Sequence, residues 1–109
     1  MSTFTDIEVN QASDVYLIIN HKVNDSPLPP LSAAKYIVFD RSGTPLVTKT
    51  LGAGLEYSAG AVTVHITETD SAGLRGGYNH ECVVRDLDDN DIFILTGKIK
   101  FNKTTARIQ

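Results

Sequence analysis

The sequence predicts an all-β fold, a single antiparallel β-sandwich of about seven strands. Short segments of β-branched, aromatic and alternating residues recur along the 109-residue chain, and turn residues separate them at intervals of roughly 8–12 residues. No segment carries a helical period for more than a single turn, which argues against a parallel sheet with crossover helices. The length suits one compact domain, and the apolar fraction of 41% is typical of a globular protein.

The strongest signal is a long hairpin over residues 74–101. The acidic segment Asp86–Asp91 supplies its turn residues, and its second strand combines the apolar run Ile92–Leu95 with the alternating segment Lys98–Phe101. Alternation on the first strand places one set of side chains on one face, which we expect the rest of the domain to cover. That set is Tyr78, His80, Cys82 and Val84.

The first half of the chain predicts three more strands. Asp14–Val23 is apolar on both faces, so we expect part of it to be covered on both sides. The prolines of Asn24–Pro30 prevent ladder hydrogen bonds and predict a rigid connection. Glycine and proline in Arg41–Pro45 predict a turn, which makes Tyr36–Leu51 a hairpin.

The segment before the long hairpin predicts short strands and one helical turn. Leu55–Tyr57 is a short segment between glycines, and Ala61–Thr67 alternates cleanly. Thr69–Gly73 is too short for more than one turn of helix. Tyr78 resembles a tyrosine corner, whose hydroxyl bonds to the upstream backbone. The residues of the alternating strand expected to point inward are Val62, Val64 and Ile66.

The domain organisation follows from these elements. We predict an N-terminal arm at residues 1–10, a β-sandwich domain at residues 11–102 and a basic C-terminal tail at residues 103–109. The alternative for residues 1–10 is an edge strand, since apolar residues are scattered through an otherwise polar segment.

Charge and composition exclude several classes of function. A net charge of −3 and a pI near 5.5 do not favour non-specific binding of nucleic acid. A lone cysteine, Cys82, cannot form an intramolecular disulfide. No run approaches the roughly 20 apolar residues that cross a bilayer, and the N-terminal segment lacks the pattern of a signal peptide. We therefore expect folding in a cytoplasm and no membrane partner.

The order of short motifs resembles that of small β-sandwich modules in tailed-bacteriophage virions. A Pro-Leu segment with a leucine-small-small step occupies Pro27–Ala34, and an Asp-x-x-Gly-x-Pro turn occupies Asp40–Pro45. A threonine-rich step at Thr67–Asp70 precedes Leu-x-x-Gly-Tyr at Leu74–Tyr78, and a Gly-x-Ile strand follows at Gly97–Phe101. The pattern is similar to the N-terminal domains of siphophage baseplate upper proteins.

The resemblance implies an immunoglobulin-like or jelly-roll-like fold and a non-enzymatic role in the virion. The chain is one module without a receptor or coiled-coil region, so a capsid decoration or cement protein that bridges coat subunits is favoured. A tail or baseplate adaptor is the alternative. The implied partners are coat protein or neighbouring virion subunits, a homo-oligomer is compatible with the pattern, and the implied location is the virion after folding in the host cytoplasm.

The candidate partner-binding residues lie near the two ends of the chain. Termini can order on a neighbour without disturbing the core, and a compact domain with extendable ends can contact several neighbours at once. Lysines at alternate positions of the last strand fit either a charge-protected edge strand or docking to an acidic neighbour. The candidates are Phe4, Ile7, Lys98, Lys100, Lys103 and Arg107.

The acidic turn has the spacing of a calcium loop but lacks its other ligands. Asp86, Asp88 and Asn90 fit Asp-x-Asp-x-Asn, but Asp91 stands at the glycine position and Gly97 at the glutamate position. An EF-hand is therefore excluded. A looser cation site at residues 86–91 remains an alternative to a solvated turn, which the residue types favour.

No local motif predicts catalysis or a cofactor. His21, His65 and His80 are far apart in sequence, and zinc needs three or four ligands. Cys82 and His80 share a strand face, but a nucleophilic pair also needs an orienting group and an oxyanion hole. We expect Cys82 to act as a small buried hydrophobe, and we expect no enzyme, no cofactor and no metal.

A carbohydrate-binding β-sandwich is the alternative from another class. An exposed Tyr16, Tyr36 or Tyr57 would stack on a sugar ring. The absence of tryptophan weakens this reading.

Overall fold

The computed structural model describes residues 3–4, 6–20, 22–23 and 26–103. Eleven strands and one helical turn lie within these residues. Within them, no helix is long and apolar enough to cross a membrane. The strands are β1 Thr3–Phe4, β2 Ile7–Asn10, β3 Val15–Ile19, β4 Lys22–Val23, β5 Ser26–Pro27, β6 Leu31–Phe39, β7 Pro45–Leu51, β8 Gly54–Ser58, β9 Ala61–Ile66, β10 Gly76–Asp86 and β11 Asp91–Asn102, and the helix is α1 Glu68–Ser71.

The all-β prediction is confirmed, but the arrangement differs from a seven-stranded antiparallel sandwich. Eight strands follow one another in the order β1-β11-β10-β6-β7-β8-β9-β3, and β2 also pairs with β11. The pairs β1–β11, β2–β11 and β7–β8 are parallel. The two-residue strands β4 and β5 form a separate hairpin.

A tight loop between β7 and β8 explains why the sheet continues from one half of the domain into the other. Gly52 and Gly54 have φ angles of +84° and +93°, which L-residues rarely adopt. The loop is closed by hydrogen bonds from the Ala53 amide to the Thr50 carbonyl and from the Gly52 amide to the Leu55 carbonyl, both 2.8 Å. β7 therefore pairs in parallel with β8. The strands form one continuous sheet at this point, where two separate sheets were expected.

The other ends of the sheet are joined by the short link between β2 and β3. The Gln11 amide donates to the Asn102 carbonyl at 2.8 Å, and its side chain donates to the Ala72 carbonyl at 2.9 Å. The Ala12 amide donates to the Ser71 hydroxyl at 2.9 Å. The sheet is therefore nearly closed.

Part of the predicted N-terminal arm belongs to the sheet. Ile7–Asn10 pairs with Ile99–Asn102 over four residues, so the edge-strand alternative describes this segment. Ile7 and Val9 pack against the core, which gives the pairing an energetic reason. The described part of the predicted tail is Lys103, which is exposed and in no strand. The remaining residues of the tail lie outside the described ones.

The core lies between the two halves of the sheet. Alternate residues of β6, β10 and β11 meet alternate residues of β3, β8 and β9 in one apolar cluster. The predicted inward residues of β9 are fully buried, and His80, Cys82 and Val84 are at most 1% exposed. Both predicted faces are thereby confirmed. The buried apolar residues are Ile19, Leu28, Ala34, Tyr36, Val38, Val47, Leu55, Val62, Val64, Ile66, Leu74, Cys82, Val84, Ile94, Leu95, Ile99 and Phe101.

The predicted long hairpin is confirmed as β10 and β11, with one irregularity. Cys82 pairs with Leu95, but the neighbouring Val83 pairs with Phe93, so Ile94 is an extra residue on β11. This β-bulge lets Ile94 and Leu95 both point into the core while Phe93 is 51% exposed. The bulge is the physical reason for the nearly continuous apolar run in the sequence.

The turns before β10 follow their local chemistry. Thr67 and Asp70 form a capping box around the single helical turn. The Arg75 amide donates to the Tyr78 hydroxyl at 3.3 Å, so the predicted contact of this tyrosine with the upstream backbone is present.

Candidate protein-interaction surface

A lysine of β11 and an arginine from a distant turn line one depression on the outer surface. Lys98 and Lys100 are exposed on β11, while Ile99 between them is fully buried. Arg41 comes from the turn after β6. It lines a shallow depression of about 380 Å³ together with Lys98. The basic strip is defined here as Arg41, Lys98, Lys100 and Lys103, and the other residues of the depression are Gly77, Tyr78 and Asn79.

Strand register brings Arg41 to Lys98. Asn79 of β10 pairs with Lys98 on one side and with Phe39 of β6 on the other. The turn after Phe39 therefore emerges beside Lys98. The sequence analysis missed Arg41 because the signal lies in the pairing of three strands, which local patterns do not show.

The turn that carries Arg41 is held by a carboxylate. Asp40 Oδ1 accepts hydrogen bonds from the Ser42 hydroxyl at 2.6 Å, the Ser42 amide at 2.9 Å and the Thr44 amide at 3.0 Å. The Ser42 hydroxyl contributes most to lowering the pKa of Asp40, followed by the Thr44 amide. Arg41 thus projects from a fixed turn.

Acidic residues limit the charge of the strip. Asp6 Oδ1 accepts the Lys98 amide at 2.9 Å, and Glu8 lies opposite Lys100 in the β2–β11 ladder. Within the described residues, the side chains of Arg41, Lys98 and Lys100 are in no ion pair. These cations are therefore available to an acidic partner.

The other candidate partner-binding residues are placed as follows. Ile7 lies opposite Ile99 and packs against the core, so its side chain already contributes to packing within the domain. The backbone of Phe4 pairs with Thr96, while the Phe4 side chain and Arg107 lie outside the described residues. The expectation that Lys98 and Lys100 protect an edge strand is wrong, because β11 pairs with β10 on one side and with β1 and β2 on the other.

A second surface lies on β3, the last strand of the sheet. Tyr16 and Ile18 are 63% and 66% exposed. The expectation that part of this strand is covered on both sides is therefore wrong within the described residues, because the outer face of β3 is open. The free edge patch is defined here as Tyr16 and Ile18 on β3.

The Tyr16 ring has a fixed orientation. It lies parallel to the His65 ring, with centroids 4.3 Å apart and 7° between the planes. His65 Nε2 lies 3.1 Å from Asp14 Oδ1, which also accepts the Glu68 amide at 3.3 Å. A depression of about 330 Å³ adjoins the ring and is lined by Tyr16, Gly54, Glu56, Thr63 and His65.

The other two tyrosines considered for sugar stacking are engaged within the domain. Tyr36 is fully buried, so its candidacy is wrong. Tyr57 is half-buried, and its hydroxyl donates to the Leu28 carbonyl at 2.6 Å. Only Tyr16 of the three presents an open ring.

The buried residues Tyr36, His80 and Cys82 form part of the packed core. The Tyr36 hydroxyl and His80 Nδ1 share a hydrogen bond of 3.0 Å, and the two rings meet edge-on. Burial raises the pKa of the Cys82 thiol to about 12, which leaves it protonated at neutral pH and a poor nucleophile. Burial, with a smaller contribution from Cys82, also raises the pKa of Tyr36.

The acidic turn uses its carboxylates for internal hydrogen bonds. Asp86 Oδ1 accepts the amides of Asp88 and Asn90, each at 2.9 Å, and the Asn90 amide contributes most to lowering the Asp86 pKa. Asp91 pairs with Arg85 at 2.7 Å. Within the described residues, no three His, Cys, Asp or Glu side chains are grouped as metal ligands.

Comparison with known proteins shows the fold alone. No family model matches the chain, and no curated protein matches it. A structure of a chicken TCR superposes with a TM-score of 0.62 at 13% identity, covering 96% of this chain and 56% of that chain. Fibronectin(III)-like modules of Clostridium thermocellum CbhA superpose with a TM-score of 0.47 at 13% identity, covering 94% and 95%. The likeness to the TCR identifies an immunoglobulin-like β-fold.

Proposed function

We propose that this protein is a non-enzymatic docking module that binds an acidic surface of neighbouring protein subunits through the basic strip. The observation that carries the proposal is the meeting of Arg41 and Lys98 around one depression. The sequence resemblance supports a phage virion as the setting and a capsid decoration protein as the specific role, with a tail or baseplate adaptor as the alternative. The fold itself is neutral between these roles.

The chemistry of the depression suits a carboxylate. A guanidinium binds a carboxylate with two parallel hydrogen bonds, and an ammonium adds a mobile point charge. A single exposed pair contributes only about 0–1 kcal/mol. Repetition over an assembled shell combines such weak contacts through effective concentration. Binding should therefore require assembled partners and weaken with added salt.

Co-sedimentation with empty, assembled phage capsids and with purified tails tests the proposal. We expect saturable binding to capsids that falls as salt is raised. The variants Arg41→Glu and Lys98→Glu should abolish it. Lys35→Glu is the matched control, because Lys35 is exposed on β6 away from the strip. Binding to tails alone would support the adaptor role. Binding to neither, or equal loss in all three variants, would contradict the docking proposal.

The second candidate function, carbohydrate binding, is favoured by one observation. The open Tyr16 ring adjoins a depression with the polar side chains of Glu56, Thr63 and His65. A ring platform with nearby hydrogen-bonding groups is suited to a sugar. A glycan array with the wild-type chain and Tyr16→Ala tests it. Signals that Tyr16→Ala removes would support this function, and an array without signals would exclude it.

A further inference from the structure

We propose that the free edge of β3 pairs with β3 of a second copy of this chain, antiparallel about a twofold axis. β3 is the last strand of the sheet, with β9 on one side. Among the described residues, no strand pairs with its other side. This inference goes beyond the docking function, because it concerns β3, whereas the basic strip lies on β11 and the turn after β6.

The composition of β3 is that of a paired strand. Val15–Ile19 contains only aliphatic and aromatic residues, with no charge and no proline. Its ladder with β9 runs through five consecutive pairs without a bulge. Natural sheets protect a free edge by charges, prolines or bulges, since an unprotected edge pairs with other chains. β3 has none of these devices, which indicates that its edge is used.

The free edge patch is complementary to itself. Tyr16 and Ile18 lie on the same outer face and are 63% and 66% exposed. An antiparallel pairing with its axis at Leu17 places each Tyr16 opposite Ile18 of the second copy. Aromatic and β-branched residues form favourable cross-strand pairs. Twofold symmetry uses this contact twice and closes the assembly at a dimer.

The charges flanking β3 select the antiparallel direction. Asp14 precedes the strand with a side chain that is 57% exposed, and Lys22 follows it and is exposed. Antiparallel pairing brings the acidic end of each copy towards the basic end of the other. Parallel pairing would bring like charges together, which is unfavourable.

Sedimentation velocity across a wide range of protein concentrations tests the pairing. We expect a monomer–dimer equilibrium for the wild-type chain. Ile18→Lys should weaken it by at least about tenfold, because the new charge would be buried beside Tyr16 of the second copy. Leu87→Lys is the matched control, since Leu87 is 67% exposed in the turn after β10. It should leave the equilibrium unchanged.

Two further variants test the geometry. The double variant Tyr16→Cys with Ile18→Cys should form disulfide-linked dimers on mild oxidation, while Leu87→Cys should not. Lys22→Glu should weaken dimerisation, and adding Asp14→Lys should restore it. Circular dichroism of each variant verifies folding, because Asp14 also contacts His65.

Several results would overturn the proposal. These are a monomer at every concentration, a dimer that Ile18→Lys leaves intact, or species larger than a dimer. Loss of capsid or glycan binding in Ile18→Lys while the wild-type chain remains monomeric would assign the edge to another partner. Arg41→Glu and Lys98→Glu should leave the dimer unchanged, so failure of the docking function and failure of the dimer can be told apart.

Discussion

Lys49 on β7 and Asp70 in the helical turn α1 form an ion pair whose Nζ and Oδ2 atoms are 2.6 Å apart. Their side chains are only 14% and 26% exposed. The pair fastens the helical turn to β7, next to the loop where the sheet passes from one half to the other. Burial opposes ionisation of Asp70, but the hydrogen bonds from Lys49 and Thr67 outweigh it and lower its pKa.

Replacing the lysine should destabilise the fold at neutral pH. We expect Lys49→Met to lower the free energy of unfolding by about 1–3 kcal/mol at pH 7, because a partly buried carboxylate loses a charged donor. Lys35→Met is the control, since Lys35 is exposed and forms no ion pair among the described residues. Its effect should stay within about 0.5 kcal/mol. Urea unfolding measures both.

The same pair predicts a pH dependence of known sign. Because the folded-state pKa of Asp70 is lowered, the unfolded chain binds the proton more readily. The stabilisation is fully present above the unfolded pKa of about 3.9 and is lost as the pH falls through the lower folded value. The difference between wild type and Lys49→Met should therefore shrink below about pH 4. A difference that stays constant from pH 7 to pH 2 would contradict this account.

Gly54 should resist substitution more strongly than Gly52. Both have positive φ, so alanine at either position costs about 1–2 kcal/mol. A Cβ on Gly54 would lie 2.5 Å from Lys49 Cδ, whereas none of the surrounding atoms lies within 4 Å of a Cβ on Gly52. Gly54→Ala should therefore displace the lysine from Asp70 and cost more in urea unfolding than Gly52→Ala.

A double-mutant cycle separates the contact from the backbone strain. In a Lys49→Ala background, the added cost of Gly54→Ala should fall to that of Gly52→Ala, because the clashing side chain is gone. An unchanged cost would mean that the contact with Lys49 is not the cause.

The hydrogen bond between Tyr36 and His80 should stabilise the core. Both residues are at most 1% exposed, so Tyr36→Phe removes a buried partner at a cost of about 1–2 kcal/mol. Tyr16→Phe removes a hydroxyl from a tyrosine that is 63% exposed and should change stability by less than about 0.5 kcal/mol. Equal unfolding midpoints for the two variants would argue against this role of the bond.

Much of the strand content followed from the two-residue period. Burial of alternate residues of β9 and β10 was predicted because one face of each strand is apolar. The closure of the sheet was not predicted, because it depends on positive φ angles at Gly52 and Gly54. A glycine in a sequence permits such angles without requiring them.

The candidate surfaces show which features of the fold cannot be predicted from short sequence patterns. Lys98 and Lys100 were read from alternation on one strand. Arg41 comes close to Lys98 only through the register of three strands. The apolar residues on both faces of β3 resemble a buried strand in sequence, yet Tyr16 and Ile18 are exposed. An edge strand that pairs with a second copy would carry the same pattern.

Cys82 should be unreactive in the native state. Its side chain is fully buried, and burial raises its thiol pKa to about 12. Since the thiolate is the reactive species, a thiol reagent at pH 8 should label the native protein only as fast as the domain opens. Denaturant should make labelling rapid and complete. Leu87→Cys provides the exposed control, because Leu87 is 67% exposed in the turn after β10, and it should react at once while Cys82 of the same molecule stays protected. Destabilising variants such as Lys49→Met and Tyr36→Phe should speed labelling of Cys82 in proportion to their loss of stability, when opening and closing are fast relative to the reagent. Immediate labelling of the wild-type chain in buffer would show that the core around Cys82 is open.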